Sequence, residues 1–179
     1  MSNIWLISDT HLNHGKEFVW KVRGFNSVWD MNNAIIERWN GVVKDDDIVY
    51  HLGDVIMGDL DTGIQLLKQL NGKIRLAMGN HDTTNRLDAF RNLYNFDDIQ
   101  FGYRLKEGKK TLLLTHYPIL SGNFDTSKTY SIHGHTHSQS KFCEYELMYN
   151  VSCDAIDCTP IALEDVLMDL EKNKAKFQK

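Results

Sequence analysis

Short apolar runs alternate with helix-compatible polar stretches through the first half of the chain. Residues 3–8 (Asn-Ile-Trp-Leu-Ile-Ser), 48–52 (Ile-Val-Tyr-His-Leu) and 74–78 (Ile-Arg-Leu-Ala-Met) are too short for helices and apolar enough for buried strands. Between them lie two helical periods. Val28, Met31, Ile35 and Trp39 recur at helical spacing behind Ser27 and Asp30, a near match to a capping box, which predicts a helix from Ser27 to about Asn40. Ile64, Leu67 and Leu70 give a second helix, Asp61 to Leu70, one apolar face, and Asn71-Gly72 stops it. Residues 12–26 show no clear period and read as an ordered loop with room for one helical turn. Asp45-Asp46-Asp47 reads as a solvated turn. Three successive strand, motif and crossover units favour a mostly parallel sheet with right-handed connections.

The second half changes character. A short helix is expected near Arg86 to Leu93, and strands Ile99 to Leu105 and Thr111 to Thr115 flank Lys106-Glu107-Gly108-Lys109-Lys110, whose glycine suits a hairpin loop. A loop through Gly122 to Lys128 leads to a strand at Tyr130 to His133. Phe142 to Glu146 and Met148 to Val151 read as further antiparallel strands, and Leu163 to Lys174 as a terminal helix. With no internal repeat or linker, the expected organisation is a single domain over residues 1–179, long enough to bury roughly 70% of its unfolded surface.

Composition narrows the function classes. A net charge of −4 offers no basic footprint, so stable duplex nucleic-acid binding is not expected, although bound metal would reverse the local sign for a small anion. No apolar stretch approaches the 18 or so residues of a membrane span. Cys143, Cys153 and Cys158 lack metal-type spacing, and the first strand starts almost at Met1. Reduced thiols in a cytoplasmic protein are therefore expected.

The candidate chemistry sits at the predicted strand ends. In Met78-Gly79-Asn80-His81-Asp82 three polar groups follow a buried strand directly, where α/β folds place functional loops. Five strands end this way, with Asp9 and His11, Asp54, Asn80, His116, and His135 with His137. All eight histidines (11, 14, 51, 81, 116, 133, 135, 137) lie in these blocks or within three residues of one. One Asp or His at a strand end is ordinary turn chemistry; seven in register are not. Seven oxygen and imidazole ligands without a thiolate exceed one tetrahedral zinc. They suit two ions sharing a carboxylate, and manganese, iron or zinc over copper(I).

These blocks, Asp9-x-His11, Gly53-Asp54, Gly79-Asn80-His81-Asp82, a lone His116 and Gly134-His135-x-His137, resemble the signature of the calcineurin-like metallophosphoesterases, in order, from residue 9 to 137. The resemblance implies an α/β fold with a two-sheet mixed β-sandwich flanked by helices. It also implies two divalent metal ions, manganese preferred and iron, zinc or nickel possible. Asp9, His11 and His137 would hold one ion, Asn80, His116 and His135 the other, with Asp54 bridging. His81 would be the catalytic imidazole and Asp82 would hold its orientation. The chain lacks the caps and long insertions of larger members and is similar to the minimal bacterial and phage phosphodiesterases. The implied activity is hydrolysis of a phosphodiester or phosphomonoester of a small, nucleotide-like substrate by a metal-bridging hydroxide. The alternative is a catalytically silent scaffold of the same fold, which usually loses the histidine that this chain keeps as His81.

Residues around the blocks carry weaker expectations. His51 and His133 suit packing or support behind the ligands. His14 either touches substrate or lies on the surface, and Arg23 either clamps a phosphate oxygen or is a solvated arginine. Trp20, Tyr117 and Phe124 stack a base or simply pack. Asn150-Val-Ser-Cys-Asp154 resembles a segment that supports the site from behind. Imidazole ligation predicts that metal affinity falls below about pH 6.5.

Overall fold

The computed structural model describes residues 2–119, 128–142 and 147–177. A parallel set forms first: β1 (Ile4–Ile7), β2 (Ile48–His51), β3 (Lys73–Ala77) and β4 (Phe96–Gln100) lie in the order β4-β3-β2-β1. The two-residue β9 (Ile161–Ala162) adds an antiparallel edge beside β1. The second sheet has the order β5-β6-β7-β8, from β5 (Gly102–Glu107), β6 (Lys110–Thr115), β7 (Thr129–His133) and β8 (Met148–Asn150). Its first pair is the expected hairpin, with Gly108 at φ +59° in the turn. The result is two mixed sheets with flanking helices, as the resemblance implied. The sheets meet where Ser8, just past β1, bridges Ser152, just past β8, and where the Tyr103 hydroxyl donates to the Leu76 carbonyl.

Of the helices, α2 (Val28–Val42) follows its sequence signals most closely. Ser27 is the N-cap, its hydroxyl accepting from the Asp30 amide, and Met31, Ile35 and Trp39 are fully buried. Trp39 alone sets a large aromatic against the core, and its indole N–H donates to the Asn71 carbonyl. The others are α1 (Glu17–Trp20), α3 (Leu60–Leu67), α4 (Thr84–Phe90) and α5 (Leu163–Phe177). Among the described residues no helix is long and apolar enough to cross a membrane.

Several sequence expectations need correction. The single strand expected over Ile99 to Leu105 is two strands in different sheets, broken at Phe101, because β4 pairs with β3 and β5 with β6. The strand at Met148 pairs parallel to β7, not antiparallel. Most of the strand expected over Phe142 to Glu146 lies outside the described residues, with Phe142 itself making one antiparallel bridge to Tyr149. Asp47 is not solvated like Asp45 and Asp46. It is buried, and its carboxylate accepts from the amides of Asn3 and Lys44 and from the Trp5 indole, tying the start of β1 to the turn before β2.

Candidate metal centre

The loops that leave β1, β2, β3, β6 and β7 converge at one end of the two sheets. Their backbones are unusual: Asp9, His11, Asp54, His135 and His137, five of the seven candidate ligands, have φ between +45° and +65°. Non-glycine residues occupy that region rarely and at a cost of about 1–3 kcal/mol each, so the surrounding structure must hold them there. Glycine supplies the close approach. A Cβ at Gly79 would collide with the Asp54 carboxylate, and one at Gly134 with Ser8 Oγ and the Asp9 carboxylate.

Asp9 and Asp54 each use one carboxylate oxygen on backbone and turn the other inward. Asp9 Oδ2 accepts from the His135 amide at 2.9 Å, while Asp9 Oδ1 is buried with no hydrogen-bond partner. That oxygen lies 3.9 Å from His11 Nε2 and 3.6 Å from His137 Nε2. Asp54 Oδ1 accepts from the His81 amide at 2.8 Å, while its Oδ2 lies 3.7 Å from His11 Nε2 and 3.5 Å from His116 Nε2. One carboxylate oxygen therefore faces both halves of the cluster.

The imidazoles are aimed in the same way. His116 Nδ1 donates to the Leu52 carbonyl at 2.8 Å, which leaves Nε2 as a lone pair 2.9 Å from Asn80 Oδ1 and 3.1 Å from His135 Nδ1. His137 Nδ1 donates to Asp154 Oδ2 at 2.8 Å, leaving its Nε2 3.3 Å from His11 Nε2. Burial holds His11 well below the ordinary histidine range, at about 2, and also lowers His135, so both rings are neutral at pH 7. His137 is shifted up by its bond to Asp154.

Convergent lone pairs and an orphaned buried carboxylate oxygen repel one another unless a cation lies among them. Asp9, His11 and His137 form one compact group that could hold a metal ion, and Asp9, Asp54 and His116 a second. The donor set fits two hard or borderline divalent ions.

The residues expected to act on substrate are placed differently. His81 is exposed, with its ring 5.7 Å from that of His11, and its backbone carbonyl is held by Arg86 at 2.6 Å, a contact with no sequence signal. Asp82, expected to orient the His81 imidazole, instead accepts three backbone amides: Asp54 and Gly79 on Oδ2 and Val55 on Oδ1. It clasps the loops after β2 and β3 together. Arg23 is neither a solvated arginine nor a phosphate clamp. All five of its N–H donors face internal acceptors, namely both Asp154 oxygens, the carbonyls of Asp9 and Thr10, and Met31 Sδ. His14 is half-buried in the wall of the cavity that also contains His11, His81 and His137.

Supporting residues complete the centre. His51 is buried against Thr10 Oγ1, and the Thr10 hydroxyl in turn donates to the Val55 carbonyl, in keeping with a place behind the ligands. Asp154 holds His137 and Arg23 together; burial alone would raise its pKa, but those two hydrogen bonds outweigh burial and keep it ionised. Tyr117 is exposed, with its ring 4.6 Å from that of His135, and Phe124 lies outside the described residues.

Sequence and fold relatives place the chain in a family. An uncharacterized protein of Methanocaldococcus jannaschii, MJ1445, is 37% identical over 185 residues, covering 97% of this chain and 94% of its own length. The gene 66 protein of mycobacteriophage D29 is 30% identical over 164 residues, covering 78% of this chain and 80% of its own. The crystal structure of AQ665 from Aquifex aeolicus, a protein of unknown function, superposes with a TM-score of 0.71 at 25% identity over 93% of this chain and 98% of the other. The profile of the calcineurin-like phosphoesterases matches residues 2–156, and the chain belongs to that family.

Proposed function

We propose that the protein is a dinuclear-metal phosphoesterase that hydrolyses a small phosphate ester, a diester in preference to a monoester. Asp9, His11 and His137 would hold one ion and Asn80, His116 and His135 the other, with Asp54 as the carboxylate that the two would share. The observation that carries this reading is Asp54 Oδ2, within 3.7 Å of His11 Nε2 on one side and 3.5 Å of His116 Nε2 on the other. When bound, such a metal pair lowers the pKa of water and neutralises phosphoryl charge. Manganese is the ion we assign first, with iron, zinc or nickel as substitutes.

The chain's own groups supply the rest. Burial keeps His11 neutral and ready to ligate, and its fixed position beside Asp9 and Asp54 leaves little reorganisation on loading. His81 stands in the open cavity without a carboxylate partner among the described contacts, free to give a proton to the departing oxygen. Asn80 adds an oxygen without a charge, which leaves the centre positive toward phosphate. The buried Cys153 and Cys158 are free thiols, which supports a reducing, cytoplasmic setting.

The test is a manganese-supplemented comparison of bis-p-nitrophenyl phosphate with p-nitrophenyl phosphate, alongside elemental analysis of the loaded protein. Two ions per chain and faster diester cleavage are expected. One ion or none would end the dinuclear reading, and faster monoester cleavage would reverse the stated preference.

A further inference from the structure

The cavity beside the metal cluster is not uniformly polar. It encloses about 430 Å³, within the ~300–1,000 Å³ of sites that hold a whole small molecule, so it has room beyond a phosphoryl group. His11, His81 and His137 line it together with Phe18 and Val19 of α1 and Val22 just after that helix. Phe18 is 70% exposed and Val22 66% exposed, an unfavourable display of large apolar side chains on one lip of a metal centre. A run of edge-to-face rings leads there from the ligands: His11 to His14 and His14 to Phe18, each 5.7 Å between centroids.

Charge completes the argument. Arg23 lines the same cavity but has no donor to spare, and Lys16 and Lys21 line a separate groove that shares Phe18 and Val22, with Lys21 paired to Glu17 at 2.8 Å. Among the described residues lining this cavity there is no lysine, and the one arginine is already engaged. A flat apolar group would find a ring face and an aliphatic side chain.

Building on the phosphoesterase reading, we propose that Phe18 and Val22, with His14 beside them, form a subsite for the aromatic ring of the substrate's organic group, as in an aryl or nucleoside phosphoester. The same histidine-lined cavity contains His81, so the ring lies on the side where the leaving oxygen takes its proton. Base-on-aromatic stacking tolerates many ring identities, which makes the subsite selective for flat rings rather than for one base.

The test is calorimetric binding of phenylphosphonate and methylphosphonate to the manganese-loaded protein, neither of which can turn over. Phenylphosphonate is expected to bind roughly tenfold more tightly, the scale of one stacked ring. Phe18→Ala should bring the two affinities together, Phe18→Trp should restore the gap, and Tyr94→Ala, removing an equally exposed ring at the opposite strand ends, should keep it. Equal affinities in the wild type, or a gap that survives both Phe18→Ala and Val22→Ser, would overturn the subsite while leaving the phosphoesterase reading intact. Hexylphosphonate binding as tightly as phenylphosphonate would overturn the preference for rings. A dimer that Phe18→Ala converts to monomer would assign the lip to a second copy of the chain. If neither phosphonate binds, the phosphoesterase reading fails and the subsite with it.

Discussion

His137 and Asp154 are joined by a 2.8 Å hydrogen bond that decides which imidazole nitrogen faces the metal site. Because Asp154 stays ionised, Nδ1 must carry the proton and Nε2 must present its lone pair to Asp9 and His11. Carboxylates in this position behind a ligating histidine raise its basicity and fix its ring, and their loss typically weakens metal binding by about 10–100-fold. Asp154→Asn is expected to lower manganese affinity by that order. Asparagine can still accept from Nδ1–H, so the loss reports charge rather than shape. Titration of metal-free protein, with circular dichroism to confirm folding, measures it; an unchanged affinity would reduce Asp154 to a partner of Arg23.

Asp82 makes a different prediction from the one its place beside His81 suggests. Its three accepted amides all belong to the loops that carry Asp54 and Asn80. Removing the carboxylate strands those amides in a buried setting, at about 1–3 kcal/mol for a group left unpaired. Asp82→Ala is expected to lose ~2–4 kcal/mol of stability and to bind metal and turn over poorly together. A variant that loads metal normally but is slow would mean that Asp82 acts on the His81 imidazole after all.

His81 is the complementary case. Its amide, not its ring, holds Asp54, so truncating the side chain leaves that bond in place. His81→Ala is expected to retain two metals and wild-type stability while turnover falls about 10²–10⁴-fold. Metal content from elemental analysis and initial rates on the same sample separate the two effects. An unchanged rate would remove His81 from the mechanism.

The clustering of the candidate ligands was legible in the chain because each follows a buried strand, and strand ends are readable from local apolar runs. What escaped was set by partners far away in sequence. Nothing within residues 99–105 says that the chain changes sheet at Phe101, since the choice belongs to β3 and β6. The direction of β8 shows only in its pairing with β7, more than ten residues earlier, and not in Met148–Asn150 itself. Asp47 looks like its two acidic neighbours until Asn3 and Trp5 fold onto it. Arg23 reads as an anion clamp because a loop beside a metal block is where one would be useful. Only Asp154, 131 residues on, shows that its guanidinium is occupied.

The buried His51 gives a pH prediction that does not require metal. Its ring is fully enclosed and donates from Nε2 to Thr10 Oγ1, whose own proton goes to the Val55 carbonyl. Burial, with His116 adding to it, pushes the His51 pKa down to about 3, against about 6.5 in the unfolded chain. Between those values the unfolded chain holds a proton that the folded one refuses. Stability from this residue is therefore complete above about pH 6.5, falls as pH drops through the window, and is gone below about 3. The slope inside the window approaches ~1.4 kcal/mol per pH unit. Urea unfolding of metal-free wild type and His51→Gln at pH 7.5 and pH 5 should show the wild type losing about 2 kcal/mol more than the variant. Equal losses in the two proteins would mean that the folded state admits a charged imidazole at position 51.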